Sequence, residues 1–140
     1  MGMKATGLAG LANDFRRIAD AAVTAAAPVL HAQGEAISAR SRALAPIDEG
    51  NLEASHDVTT ERAGGQVRTT VSVGGIVNGV DVDGYAVRMH EGDYNLGPLS
   101  RAKAEATGQP VGQKFLERAF IEQEGKVADA IADALAKVIR

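Results

Sequence analysis

The sequence predicts an α+β domain, a small antiparallel β-sheet with long N-terminal and C-terminal helices packed on one face. Three observations predict it. Apolar residues recur at three-and-four spacing in the first and last thirds of the chain, as on one face of a helix. Between them the period switches to two, the pattern of half-buried strands. A corner rich in proline and glycine separates the first helical stretch from the first strand. At 140 residues the chain is long enough for one domain with a modest core.

The N-terminal helices are expected over residues ~7–44. Leu8, Leu11, Phe15, Ile18, Ala22 and Ala25 fall on one face. Pro28 cannot donate a helical hydrogen bond, and its ring crowds the preceding turn. It is tolerated in the first turn of a new helix, so two segments with a kink or short break near Pro28 are expected. Leu30, Ile37 and Leu44 continue the seam at seven-residue spacing. The seam reads as intramolecular core rather than as a coiled coil.

The corner runs from Arg42 to Ser55. Ala45 precedes Pro46, which disfavours the α region and predicts a helix end near Leu44. Asp48 is suited to capping backbone N–H groups ahead of it. Gly50 permits a positive φ, and Leu52 can tuck the turn onto the core. Pro46, Asp48, Gly50 and Leu52 are therefore the predicted structural corner.

A sheet is expected over residues ~55–90. His56, Val58 and Thr60 alternate with Asp57 and Thr59, and Ala63-Gly64-Gly65-Gln66 reads as a turn. Val67, Thr69, Val71 and Val73 then share a face, which predicts a half-buried antiparallel hairpin. Asn78-Gly79 is a strong two-residue hairpin signal. Tyr85, Val87 and Met89 read as a further alternating strand. Residues ~92–112 form a long polar loop, in which Pro98 to Ala106 suits a short helix with Ser100 near its start. From ~114 to 138 the helix period returns through Leu116, Phe120, Val127, Ile131, Leu135 and Val138.

Composition excludes several functions. Fifteen Lys and Arg stand against 18 Asp and Glu, a formal charge of −3, with no basic stripe of the kind that grips duplex DNA. Without cysteine there is neither disulfide nor thiolate chemistry. No long apolar run opens the chain, so neither signal peptide nor membrane span is expected. His90-Glu91 fails the H-E-x-x-H zinc pattern, because no second histidine follows. The Gly74–Gly79 stretch has neither a G-x-G-x-x-G helix start nor G-K-[ST], and no serine sits in G-x-S-x-G. Asp81 and Asp83 lack the further oxygen ligands that a cation needs. No catalytic, cofactor-binding or metal-binding residues are assigned, and the expectation is a structural or interaction protein without cofactors. A small intracellular protein-binding module, or a hydrolase built on His90, Glu91 and Asp57, are the rival readings.

Three stretches carry a resemblance when read in order. They are Ala45-Pro46-x-Asp48-x-Gly50-x-Leu52-x-x-Ser55, then Tyr85-Ala86-x-x-x-x-Glu91-Gly92, then Lys114-Phe115-Leu116-x-x-Ala119. The chain resembles, over roughly residues 8–125, the head–tail joining family of long-tailed bacteriophages, variously called minor tail component, neck or tail-completion protein. The family usually shows Asp-Thr-Gly where this chain has Asp48-Glu49-Gly50. The resemblance implies a structural virion protein of the neck, made in the bacterial host cytoplasm. It implies a ring, six-fold favoured, that joins the DNA-filled head to the tail as terminator, completion ring or connector. Neighbouring connector and tail-tube proteins would be its partners, with at most non-specific contact to DNA in the channel. The long loop and the N-terminal segment are then the reaching elements. Glu91, Tyr94, Leu96, Leu99, Arg101, Lys103 and Val111 are the candidate inter-subunit contacts.

Overall fold

The structure, a computed structural model, describes residues 6–139. Helix α1 spans Thr6–Leu44 and the short α2 spans Asn51–Ala54. Strands β1 (His56–Ala63) and β2 (Gln66–Val73) form an antiparallel hairpin, and β3 (Ile76–Val77) and β4 (Val80–Asp81) a second, smaller one. Helices α3 (Asp83–Glu91), α4 (Pro98–Thr107) and α5 (Phe115–Ile139) complete the chain. The protein is α+β, with the two long terminal helices packed together and the main hairpin lying against α1.

The hairpin follows its period. Ala63 pairs with Gln66 and His56 with Val73, so Gly64-Gly65 is a two-residue turn with Gly64 at φ 60. The residues of β2 alternate exposed and half-buried along its whole length. Asn78 (φ 51) and Gly79 (φ 77) both take left-handed backbone, as a type I′ turn requires.

Helix α5 begins beside the end of α1 and runs back along it. The Gly112 N–H donates to the Leu44 carbonyl at 2.9 Å, and Arg40 meets Glu122 further along. The core lies where α1, the corner, α3 and α5 converge. Ile37, Leu44, Ala45, Leu52, Val82, Ala86, Phe115 and Ala119 form one buried cluster. Phe115 is its largest fully buried side chain. Its ring sits between two imidazoles, edge-on to His90 at 4.9 Å and tilted to His56 at 6.0 Å.

Four expectations are corrected. Helix α1 runs through Pro28 without a break. The turns that follow are held by the hairpin and α5, and tertiary packing of this kind outweighs the local cost of proline. Residues 83–91 form α3 rather than a strand, so the sheet does not extend to residue 90. The apparent alternation of Tyr85, Val87 and Met89 also fits a helix, on which Ala86 and Met89 lie on the core side, with Val82 just before it, and Val87 is exposed. The N-terminal apolar stripe is not core: residues 7–21 are all exposed. Phe120, assigned to the core face of α5, is 53% exposed; the buried stripe runs through Phe115 and Ala119 instead.

Candidate functional site

The corner after α1 is built as a closed knot. The Ala45 N–H donates to the Ser41 carbonyl at 2.9 Å, which completes the last turn of the helix. Pro46 and Leu52 are fully buried, and Gly50 takes φ 82. Among the described residues Asp48 takes no hydrogen bond from the turn. The α1 carbonyl ends are satisfied from the far side of the knot, by Lys103. Its ammonium donates to the Arg42 carbonyl at 2.5 Å, to the Ala45 carbonyl at 2.7 Å, and to the Glu53 carboxylate. A cation at a helix C-terminus meets both the free carbonyls and the negative end of the dipole. Ser100 fixes α4 to the same corner, since its hydroxyl accepts from the Ile47 N–H at 2.9 Å and donates to the Ile47 carbonyl at 3.0 Å.

The segment 92–112 is therefore tied largely to its own chain. Val111 is buried. The Tyr94 hydroxyl donates to the Met89 carbonyl at 2.6 Å, and Arg101 donates to the Leu96 carbonyl at 2.7 Å. Glu91 pairs with Lys114 and sits 2.7 Å from His90 Nδ1. Those two contacts, Lys114 first, hold its carboxyl below the usual carboxylate range. Of the candidate contacts, Lys103 and Val111 are spent inside the subunit, Leu96 and Tyr94 are half-buried, and Leu99 remains exposed. The segment was too polar in pattern to reveal that its few anchors, Ser100, Lys103 and Val111, point inward.

Sequence reasoning missed a buried polar pair. Ser41 Oγ lies 2.7 Å from His56 Nε2. His56 Nδ1 faces the Leu52 and Glu53 carbonyls, each at 3.1 Å. Two carbonyls accept only, so Nδ1 carries the proton and Nε2 accepts from the serine. The arrangement has the form of a nucleophile, a base and an orienting group. Ser41 has no exposed surface, however, and His56 almost none, and neither residue lines the main cavities. A substrate has no path to the hydroxyl, and the pair acts as a bolt between α1 and β1. Burial pushes the His56 pKa down, against the partial support of the two carbonyls.

The rival hydrolytic set does not assemble. Asp57 lies on the exposed face of β1, and no hydrogen bond joins it to His90 or Glu91. His90 instead receives the Glu117 N–H at the start of α5, 3.4 Å from its Nε2. Asp81 accepts from the Asp83 N–H at 3.0 Å, and Asp83 accepts from the Gly75 N–H at 2.5 Å. Among the described residues no cluster of three His, Asp or Glu could hold a metal.

Among the described residues, two of the open apolar surfaces are extended. One is the outer arm of α1, where Leu8, Leu11, Phe15 and Ile18 stand in solvent with Phe15 63% exposed. The other is a groove of about 590 Å³ between α1, β2 and α5, lined by Leu30, Ile37, Val71, Leu116, Phe120 and Val127. Gly34 forms part of its α1 wall. No family model, curated protein or solved structure matches this chain.

Proposed function

We propose that this chain is a structural protein of the neck of a long-tailed phage, one subunit of a ring that joins the DNA-filled head to the tail. The observation that carries the reading is the ordered set of three motifs that resemble the neck family. Their spacing is wide, yet their residues meet. Ala45 and Leu52 from the first, Ala86 from the second, and Phe115 and Ala119 from the third belong to one buried cluster.

The exposed arm of α1 supports an assembly role. Four large apolar side chains on one unpartnered helix face are costly in water and mark an interaction surface. A ring needs heterologous contacts that close on rotation, and six-fold symmetry is the order that the resemblance favours. The net negative charge suits a channel through which DNA slides, because phosphate contacts would grip it.

The test is location. Particles of the encoding phage, imaged and labelled with an antibody to this chain, are expected to carry it at the head–tail junction. Its deletion is expected to leave filled heads and tails unjoined. A chain absent from the particle, and monomeric or two-fold dimeric in the host cell, would favour the protein-binding module.

A further inference from the structure

We infer that the free edge of β2 receives an extended segment of another protein as a third strand of the main sheet, its inward side chains seated in the apolar groove. This contact goes beyond the neck reading and does not depend on it. Strand β2 pairs with β1 alone. The turn Gly64-Gly65 joins Ala63 to its partner Gln66, and residues that flank a two-residue turn exchange hydrogen bonds. Alternate pairs along the ladder do the same, so Arg68, Thr70 and Ser72 spend their N–H and carbonyl groups on β1. The Gly74 N–H, donating to the Ser55 carbonyl at 3.2 Å, keeps the same parity. Thr69 and Val71 therefore turn their N–H and carbonyl groups outward, to the free edge. Among the described residues no other backbone group meets them there.

That edge opens on the groove. Four consecutive residues, Arg68 to Val71, line it. One face of a strand would contribute every second residue, so the wall is the strand's edge, and no described residue of β1 lines it. The floor is α1 with Leu30 and Ile37, and the opposite wall is α5 with Leu116, Phe120 and Val127. Exposed edges are ordinarily guarded by proline, lysine, a bulge or shortness. Strand β2 has eight residues, neither proline nor lysine, and an unbroken register. Its row of alternating donors and acceptors complements another extended backbone, about 4.8 Å away in a sheet. A helix keeps its backbone groups to itself and would leave the row unpaired. The incoming segment alternates, apolar toward α1 and polar toward solvent. The rims carry Arg68 and Glu117, one charge of each sign, so backbone pairing and apolar side chains decide the fit rather than net charge. A second copy does not suit the slot. Its β3 and β4 have two residues each, and its main hairpin comes backed by α1, too bulky to enter beside α5.

The test uses the full chain and a library of random dodecapeptides. Selected peptides are expected to alternate apolar and polar residues and to lack proline. In hydrogen exchange followed by NMR, a bound peptide is expected to slow the Thr69 and Val71 amides at least roughly tenfold, while Arg68 and Thr70, already in the ladder, change less. Thr69→Pro removes an outward donor without breaking the pairing to β1, and is expected to weaken peptide binding at least roughly tenfold. Thr69 also bonds Thr60 across the hairpin at 2.8 Å, so Phe120→Asp on the opposite wall, where Phe120 is 53% exposed, serves as a second variant. It is expected to melt like the parent and to weaken the same peptides by a similar factor. Peptides that bind without protecting the Thr69 and Val71 amides would overturn the inference, and apolar residues at three-and-four spacing in them would mean a helix in the groove. Selection of no peptide would overturn it as well. A dimer of the chain alone that protects those two amides would give the edge to a second copy, with the same consequence. The neck role is read from the particle and this contact from the purified protein, so either can fail alone.

Discussion

Ser41 and His56 share a hydrogen bond of 2.7 Å inside the core, and it ties the last turns of α1 to the first residue of β1. The serine hydroxyl donates and the neutral imidazole accepts. The other imidazole nitrogen serves the carbonyls at the end of α2. One side chain thus joins three elements that the apolar pattern alone would leave loosely placed.

This bolt makes stability depend on pH. Burial depresses the folded pKa of His56 below its ordinary 6.5. The unfolded chain therefore takes up a proton first. Stability is full above about pH 6.5 and falls as the pH drops from there toward the folded value. A second loss begins below about 4.5, where the unfolded chain's carboxyls protonate while those of folded Glu91, held by Lys114, and Glu122, held by Arg40, stay ionised to lower pH. Denaturant melts between pH 8 and 3 should show both steps. Ser41→Ala should cost about 1–3 kcal/mol, since it leaves buried Nε2 without a donor.

Gly34 sets the distance between α1 and the hairpin. A Cβ there would sit 2.7 Å from the Thr69 methyl and 2.9 Å from a Val58 methyl. Alanine would favour the helix locally by about 1 kcal/mol, but overpacking of the interface costs about 1–3 kcal/mol. Gly34→Ala is expected to lower the melting temperature. A higher one would show that the hairpin yields.

Much of the fold is legible because its signals are local. The Pro46 corner, the Gly64-Gly65 and Asn78-Gly79 turns, and the alternation of β2 each follow from a few adjacent residues. The features that escaped are settled at a distance. Nothing near Lys103 in sequence reveals that its ammonium ends α1, some 60 residues earlier. Ser41 and His56 look like a helix surface and a strand start until the corner folds them together. The outer arm of α1 has a core-like stripe, and only the length of α5 decides that none of the described residues covers it. The stretch from Tyr85 to Met89 was ambiguous because so short an apolar pattern fits either period.

Gly50 tests the corner itself. Its φ of 82 is strained for any side chain, although no atom lies within 4 Å of where a Cβ would stand. Gly50→Val should therefore cost about 1–3 kcal/mol through backbone strain alone. An unchanged melting temperature would mean that the corner relaxes freely.

Lys103 is expected to matter for folding rather than for contact with partners. Lys103→Met keeps most of the stem but strips the ammonium from two carbonyls and the Glu53 carboxylate. Its side chain is only 10% exposed, so water replaces the lost donors poorly. A loss of about 1–3 kcal/mol is expected in denaturant melts, from the part-buried Ala45 carbonyl and the Glu53 carboxylate left without their donor. A variant that melts normally yet fails to assemble would move Lys103 back to an inter-subunit role.

Pro28 stands between the exposed arm of α1 and the turns that form the groove, and it is itself exposed. It cannot donate to the Thr24 carbonyl, so that turn lacks a bond that any other residue would make. The helix nevertheless continues on both sides. Alanine would restore the bond and remove the crowding of the preceding turn. Pro28→Ala is therefore expected to raise stability by about 1–3 kcal/mol, the upper end being the full helix-interior difference between the two residues. A lower melting temperature would mean that the ring is itself packed and needed.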